Sequence, residues 1–92
     1  MSIQVSDNAE AHRYEAVEDG AVLGFAAYQL DGGQITFTHT EVDPSQEGRG
    51  IGSTLVRAAL DDVRTRGLRV RPLCPFVKAW IERHPDYTDL VG

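Results

Sequence analysis

One cysteine, Cys74, in 92 residues excludes an internal disulfide. Such sparse cysteine suggests a reducing compartment. Long apolar runs are also missing. The most apolar stretch, residues 21–28, is too short to span a bilayer, so no membrane association is expected. The N-terminus is polar and shows no signal peptide, and the expected location is the cytoplasm. Basic residues are the minority: nine Lys and Arg stand against 14 Asp and Glu, a formal charge of −5. Nucleic-acid binders usually carry a basic face, so nucleic acid is not an expected partner. An acidic chain instead tolerates a cationic one, such as an amine or a lysine-rich peptide. His12, His39, His84 and Cys74 lack metal-ligand spacing, and no metal site is expected. There is no repeat, low-complexity segment or linker, so residues 1–92 read as one domain.

What is present is ordinary globular composition, 41% hydrophobic and 25% charged, enough for one modest core. Residues 13–17 suggest a first strand and Glu18-Asp19-Gly20 a turn. Residues 21–30 are nearly all apolar or small, which predicts a strand buried on both faces. Asp31-Gly32-Gly33 is a hairpin turn, and the β-branched run 34–42 a third strand. Strict alternation there puts Ile35, Phe37, His39 and Glu41 on one face and Thr36, Thr38, Thr40 and Val42 on the other. Asp43-Pro44-Ser45 ends it.

A helix follows over 53–66. Gly52, Leu55, Val56, Ala59, Leu60 and Val63 form its buried stripe. Arg57 and Asp61 are an i,i+4 pair on its outer side, and Gly67 is the expected C′ residue. Residues 68–73 suggest a short strand. Cys74-Pro75 then opens a second helix as N-cap and first helical residue. Phe76, Val77, Trp80 and Ile81 line its inner side, and it ends near His84-Pro85. Residues 86–92 carry no predicted element. The fold class is therefore α/β (α+β): a three-strand antiparallel meander, a helix, a strand joined in parallel to the third, and a C-terminal helix.

The richest segment is Glu47-Gly48-Arg49-Gly50-Ile51-Gly52, between the third strand and the first helix. Glycines at alternate positions leave backbone N–H groups unshielded, and a helix start adds more, with the positive end of its dipole. That suits a phosphate or pyrophosphate. A Walker loop needs Gly-Lys-Ser/Thr, and here Gly52 precedes Ser53-Thr54 without lysine. A dinucleotide fingerprint meets Ser53 where its third glycine belongs. It also lacks the carboxylate about 20 residues on, since that region reads Gly67-Leu68-Arg69. Arg57, Arg64, Arg66, Arg69 and Arg71 cluster after the loop, either as a solvated surface or as contacts to ligand phosphates.

The loop resembles the Gln/Arg-x-x-Gly-x-Gly/Ala motif of the GNAT superfamily of acetyl-CoA-dependent N-acetyltransferases. His39-Thr40-Glu41-Val42, Arg69-Val70-Arg71-Pro72-Leu73-Cys74-Pro75-Phe76-Val77 and Ile81-Glu82-Arg83-His84-Pro85-Asp86-Tyr87 extend the match to the small single-domain GNAT-like family, over roughly 14–91. The resemblance implies a minimal GNAT-like fold and acetyl-CoA as co-substrate. It also implies acetyl transfer to a primary amine, on a small molecule or a protein lysine. The alternatives are a CoA-binding or interaction module with little turnover, and a general nucleotide-binding domain. Glu47 departs from the motif's Gln or Arg. A carboxylate aimed at a pyrophosphate repels it, so Glu47 is expected to face solvent. The chain also lacks the extra helices and strands of larger GNAT enzymes, which implies an open acceptor side.

By this resemblance Gly48, Arg49, Gly50, Ile51, Gly52 and Ser53 hold the pyrophosphate, mainly through backbone. A backbone N–H at or near Val42 polarises the thioester carbonyl. Cys74, as an N-cap, faces free N–H groups that favour the thiolate, and in the resembling family it has been considered a nucleophile. The other reading of Cys74 is a small buried thiol. His39 and Glu41 share a strand face and are candidate bases for the amine, or simply a strand end at the edge of the core. His84 and Tyr87 fit a helix C-cap and an aromatic clasp better than catalysis, with Tyr87 as proton donor to the thiolate the other reading.

Overall fold

A computed structural model describes residues 3–92. Five strands form one sheet in the order β1-β2-β3-β4-β5: β1 Gln4–Asn8, β2 Arg13–Glu18, β3 Ala21–Asp31, β4 Gln34–Val42 and β5 Arg69–Pro72. The first four pair antiparallel, and β5 joins β4 in parallel. The parallel join follows expectation, because the helix α1, Ile51–Thr65, forms the crossover between them. The meander has four strands rather than three. Gln4–Asn8 alternates little in hydrophobicity, which hid β1; it is an edge strand held by its register with β2.

Both α1 and the second helix α2, Pro75–Arg83, contribute to a single core. From α1 come Ile51, Leu55, Val56, Ala59, Leu60 and Val63. They meet Tyr14 and Ala16 of β2, Ala26 and Tyr28 of β3, Ile35 and Phe37 of β4 and Val70 of β5, all buried. Trp80 of α2 donates its indole N–H to Ser53 Oγ at 2.9 Å and so docks α2 beside α1. The end of α1 follows the glycine rule. Gly67, at φ 71°, donates to Arg64 C=O and Leu68 to Val63 C=O, the paired bonds of a Schellman stop.

β3 is not buried on both faces as its composition suggests. Ala26 and Tyr28 face the helices, but Phe25 and Ala27 on the opposite face are only half-buried, and Val22 and Leu30 near its ends are exposed. No helix covers that second face among the described residues. The tail also has structure: Pro85–Leu90 is 3₁₀ and Val91 bridges Val70. Three of its contacts tie it down, through Arg64 to Asp89, Arg69 to the Asp89 carbonyl, and Tyr87 to Asp61.

Polar groups at the rim of the core are paired. Tyr14 OH donates to Asp62 at 2.6 Å and Tyr28 OH to Asp7, while Arg66 bridges both carboxylates. Burial, then the Asp7 bond, pushes the Tyr28 hydroxyl up to about 12. These bonds fasten edge strand β1 to the last turn of α1.

Candidate functional site

The sheet opens where β5 stops. The β4–β5 ladder ends at Phe37 and Pro72. Phe37 C=O accepts the N–H of both Leu73, at 3.1 Å, and Cys74, at 2.9 Å. Cys74 is the N-cap of α2 and Pro75 its first residue, as the sequence predicts. Proline fixes φ and gives up no useful donor there, so the chain turns into α2 while β4 runs on paired with β3 alone. A wedge is left between Thr38–Val42 and the start of α2.

A bulge in β4 decides what faces this wedge. Ala27 pairs with His39 but Tyr28 with Phe37, so Thr38 is an extra residue. Alternation inverts beyond it. Ile35, Phe37, Thr40 and Val42 share the helix side, while His39 and Glu41 turn to the uncovered face. The strict alternation read from sequence is therefore wrong past Phe37, because a bulge adds a residue without changing its composition. Thr40 Oγ1 lies 3.3 Å from Cys74 Sγ, on the helix side. Asp43 N–H donates to Leu23 C=O at 2.8 Å. Since N–H direction alternates along a strand, the N–H groups of Thr40 and Val42 point into the wedge.

The glycine loop closes the wide end of the wedge. Asp43 caps the short 3₁₀ turn Pro44–Gln46, accepting from Ser45 N–H and Oγ, and these bonds hold its carboxyl below the usual range. Gly48 at φ 87° and Gly50 at φ 72° are left-handed, where a side chain is disfavoured. Gly50 is the N-cap of α1, so the helix starts at Ile51, two residues before the sequence prediction. Glycine cannot cap with a side chain. Among the described residues no acceptor meets the N–H groups of Gly48, Gly50, Ile51, Gly52 or Ser53. Four consecutive donors, with the helix dipole behind them, form a cradle for an anion.

Gly52 has a different reason to be glycine. A Cβ there would lie 2.7 Å from Phe76 Cζ. The Phe76 ring thus rests on the first turn of α1, bringing the starts of both helices together.

Side chains in the loop do less than the backbone. Arg49 reaches away to Glu18, with both its Nη atoms 3.0 Å from the carboxylate, and to Gln46 Oε1 at 2.5 Å. The bond from Arg49 is the main reason the Glu18 carboxyl is held down, and the same bond raises Arg49. Arg49 therefore ties the loop to the β2–β3 turn. Glu47 is exposed, in line with the expectation that it faces solvent. Ser53 spends its hydroxyl as acceptor for Trp80, with its N–H still free.

The remaining candidates separate by side. Cys74 is buried at 3% exposure, and its thiol makes no capping bond to α2. His39 Nε2 and Glu41 Oε2 are 3.3 Å apart and exposed on the open face. Beside them Phe25 carries the Arg13 guanidinium 4.4 Å from its ring centre. Arg13, Gly24, Phe25, Glu41, Val42 and Pro44 help to line a cavity of about 360 Å³. His84 caps α2, donates its Nδ1–H to Trp80 C=O at 2.7 Å and stacks on the Trp80 ring. Tyr87 is buried and donates to Asp61 at 2.7 Å, a bond that, with burial, raises its hydroxyl. Arg57 and Asp61 do not pair directly; Tyr87 OH stands between them. Sequence reasoning gave Thr40, Phe76, Glu18 and Phe25 no part in the site, because their places depend on tertiary packing. Phe76, expected on the inner side of α2, is instead 45% exposed over the start of α1.

A parallel β4–β5 pair that splays at a bulge, with a glycine-rich helix start at its mouth, matches a known architecture. The family model described as GCN5-related N-acetyl-transferase matches residues 13–90. The chain belongs to that family. Among solved structures, a GCN5-like protein from Staphylococcus aureus superposes with a TM-score of 0.71 over 99% of this chain and 87% of its own, at 22% identity. A GNAT family acetyltransferase from Brucella melitensis, solved in complex with acetyl-CoA, is 33% identical with a TM-score of 0.55, covering 66% of this chain and 45% of its own. Protein NATD1 from Bos taurus is 35% identical over 74 residues, 79% of this chain and 63% of its own. This GCN5-related chain spans less than two thirds of the length of the curated relatives it matches.

Proposed function

We propose that this chain is an acyl-CoA-dependent N-acetyltransferase that moves an acetyl group from acetyl-CoA to a primary amine. The observation that carries this reading is the run of unpaired N–H groups from Gly50 to Ser53 at the mouth of the β4–β5 wedge. Family membership and the acetyl-CoA complex of the Brucella relative support it. The loop takes the pyrophosphate, the wedge takes the pantetheine arm, and the thioester carbonyl meets the inward N–H of Val42 or Thr40. An oxyanion developing on that carbonyl is stabilised by a fixed donor.

The acceptor approaches from the open face. Its nitrogen attacks the carbonyl carbon, the C–S bond breaks and the electron pair leaves on the CoA sulfur. The ammonium proton passes to the exposed His39–Glu41 pair, directly or through water. A small-molecule amine or a protein lysine suits such an open side.

Transfer is direct in this reading. The Cys74 thiol is buried against Thr40 on the helix side, while the bases stand on the opposite side of β4. An acyl-Cys74 would have to reach across that strand to meet the amine. The test is CoA thiol release with a panel of amines, on wild type and on Cys74→Ala. Release that depends on amine, most of it kept in Cys74→Ala, with no adduct in intact mass after acetyl-CoA alone, is the expected result. A stoichiometric acyl-enzyme on Cys74 that passes its acetyl group to amine would overturn direct transfer. CoA binding without release for any amine would favour a binding module instead.

A further inference from the structure

Most cations of this chain are already engaged. Arg13, Arg49, Arg64 and Arg66 pair with carboxylates, and Arg69 donates to Asp89 C=O. Arg71 stands in register with Thr36, on the uncovered face. Lys78 lies about 200° around α2 from Phe76, which meets α1, so it projects elsewhere. Arg83 is in the last turn of α2. Arg57 is different. It sits on α1 one turn past Ser53, about 6 Å along the axis. Helical side chains lean toward the N-terminus, so it overhangs the first turn. Its guanidinium lies 5.2 Å from the Trp80 ring centre, and Nη1 donates to Tyr87 OH at 3.3 Å. Among the described residues its other N–H groups have no partner. Ser53, Thr54, Arg57 and Asp61 line a groove of about 260 Å³ that begins at the anion cradle. Asp61 is at the far end of that groove, with Oδ1 accepting from Tyr87.

We infer that Arg57 binds the 3′-phosphate of CoA and thereby selects CoA over dephospho-CoA, an inference that rests on the acetyl-CoA reading above. The geometry fits the ligand's covalent structure. The 3′-phosphate hangs from the same ribose whose 5′ oxygen carries the pyrophosphate. With the pyrophosphate on the N–H groups of Gly50 to Ser53, the second phosphate lies one sugar away, along the groove. Arg57 supplies charge-assisted donors there, and the hydroxyl of Thr54 is beside it. Tyr87 and Trp80 limit the guanidinium's freedom, so little order is lost on binding.

Calorimetric titration of wild type, Arg57→Ala and Arg57→Lys with CoA and with dephospho-CoA tests this. Wild type should bind CoA about tenfold or more tightly than dephospho-CoA, a gap that narrows with salt. Arg57→Ala should weaken CoA to the dephospho-CoA level and leave dephospho-CoA unchanged, while Arg57→Lys should keep part of the preference. Equal binding of the two ligands by wild type would overturn the inference while leaving the acetyl-CoA reading intact. So would equal weakening of both by Arg57→Ala. Binding of neither ligand by folded wild type would defeat both.

Discussion

Gly50→Glu should bind acetyl-CoA at least about tenfold more weakly than wild type while keeping its far-UV spectrum. Two effects act at this position. Gly50 has φ 72°, so any side chain adds strain, about 1 kcal/mol. Space is not the issue, since nothing lies within 4 Å of a Cβ there. The second effect is charge. A carboxylate at the N-cap competes with the pyrophosphate for the N–H groups of Gly52 and Ser53, and repels it. At 4 Å and an effective dielectric near 20, one such repulsion amounts to about 4 kcal/mol before salt screening. The same carboxylate also caps α1, which offsets part of the strain. Charge therefore dominates, and binding should suffer more than folding. Calorimetry with acetyl-CoA, beside a thermal melt, separates the two. Unchanged affinity in a folded variant would remove the pyrophosphate from this loop.

Phe37→Ala should cost about 3–5 kcal/mol of stability. Phe37 is 1% exposed, with the rings of Tyr14 and Tyr28 at 6.2 and 6.4 Å. It is also the last β4 residue paired with β5, and its carbonyl holds Leu73 and Cys74. Core and wedge therefore meet at this residue. A domain of this size has a total of about 5–15 kcal/mol at most, so the variant should be near unfolding. Val22→Ala, at an exposed position, is the control and should fall within about 0.5 kcal/mol of wild type. Urea denaturation reads both. A shift under about 1 kcal/mol for Phe37→Ala would mean the core tolerates a cavity there, or collapses to fill it.

Local rules carried much of the architecture into the sequence. The stripe of α1, the Gly67 stop and the Cys74-Pro75 start of α2 each rest on short-range physics: helical period, left-handed glycine, proline at the first turn. The glycine loop is legible for the same reason. What the sequence hid depends on long-range pairing. β1 is defined by its partner rather than by its own pattern. The extra residue at Thr38 exists only relative to β3, yet it decides that His39 and Glu41 leave the side of Thr40 and Cys74. Arg49 looks like a phosphate ligand from its place in the motif, and its engagement with Glu18, 31 positions away, exists only once the chain between them has folded. The Phe76 ring over Gly52 joins two helix starts 24 positions apart and has no trace in composition.

Titration of ¹⁵N-labelled protein with acetyl-CoA, followed amide by amide, tests the central claim most directly. The largest shifts should fall on Gly48, Gly50, Ile51, Gly52 and Ser53, then on Thr40 and Val42 along the wedge, with the β1–β2 edge unmoved. Shifts confined to the open face around Phe25 and His39, or none at millimolar ligand, would contradict the claim that acetyl-CoA is held by the backbone of this loop.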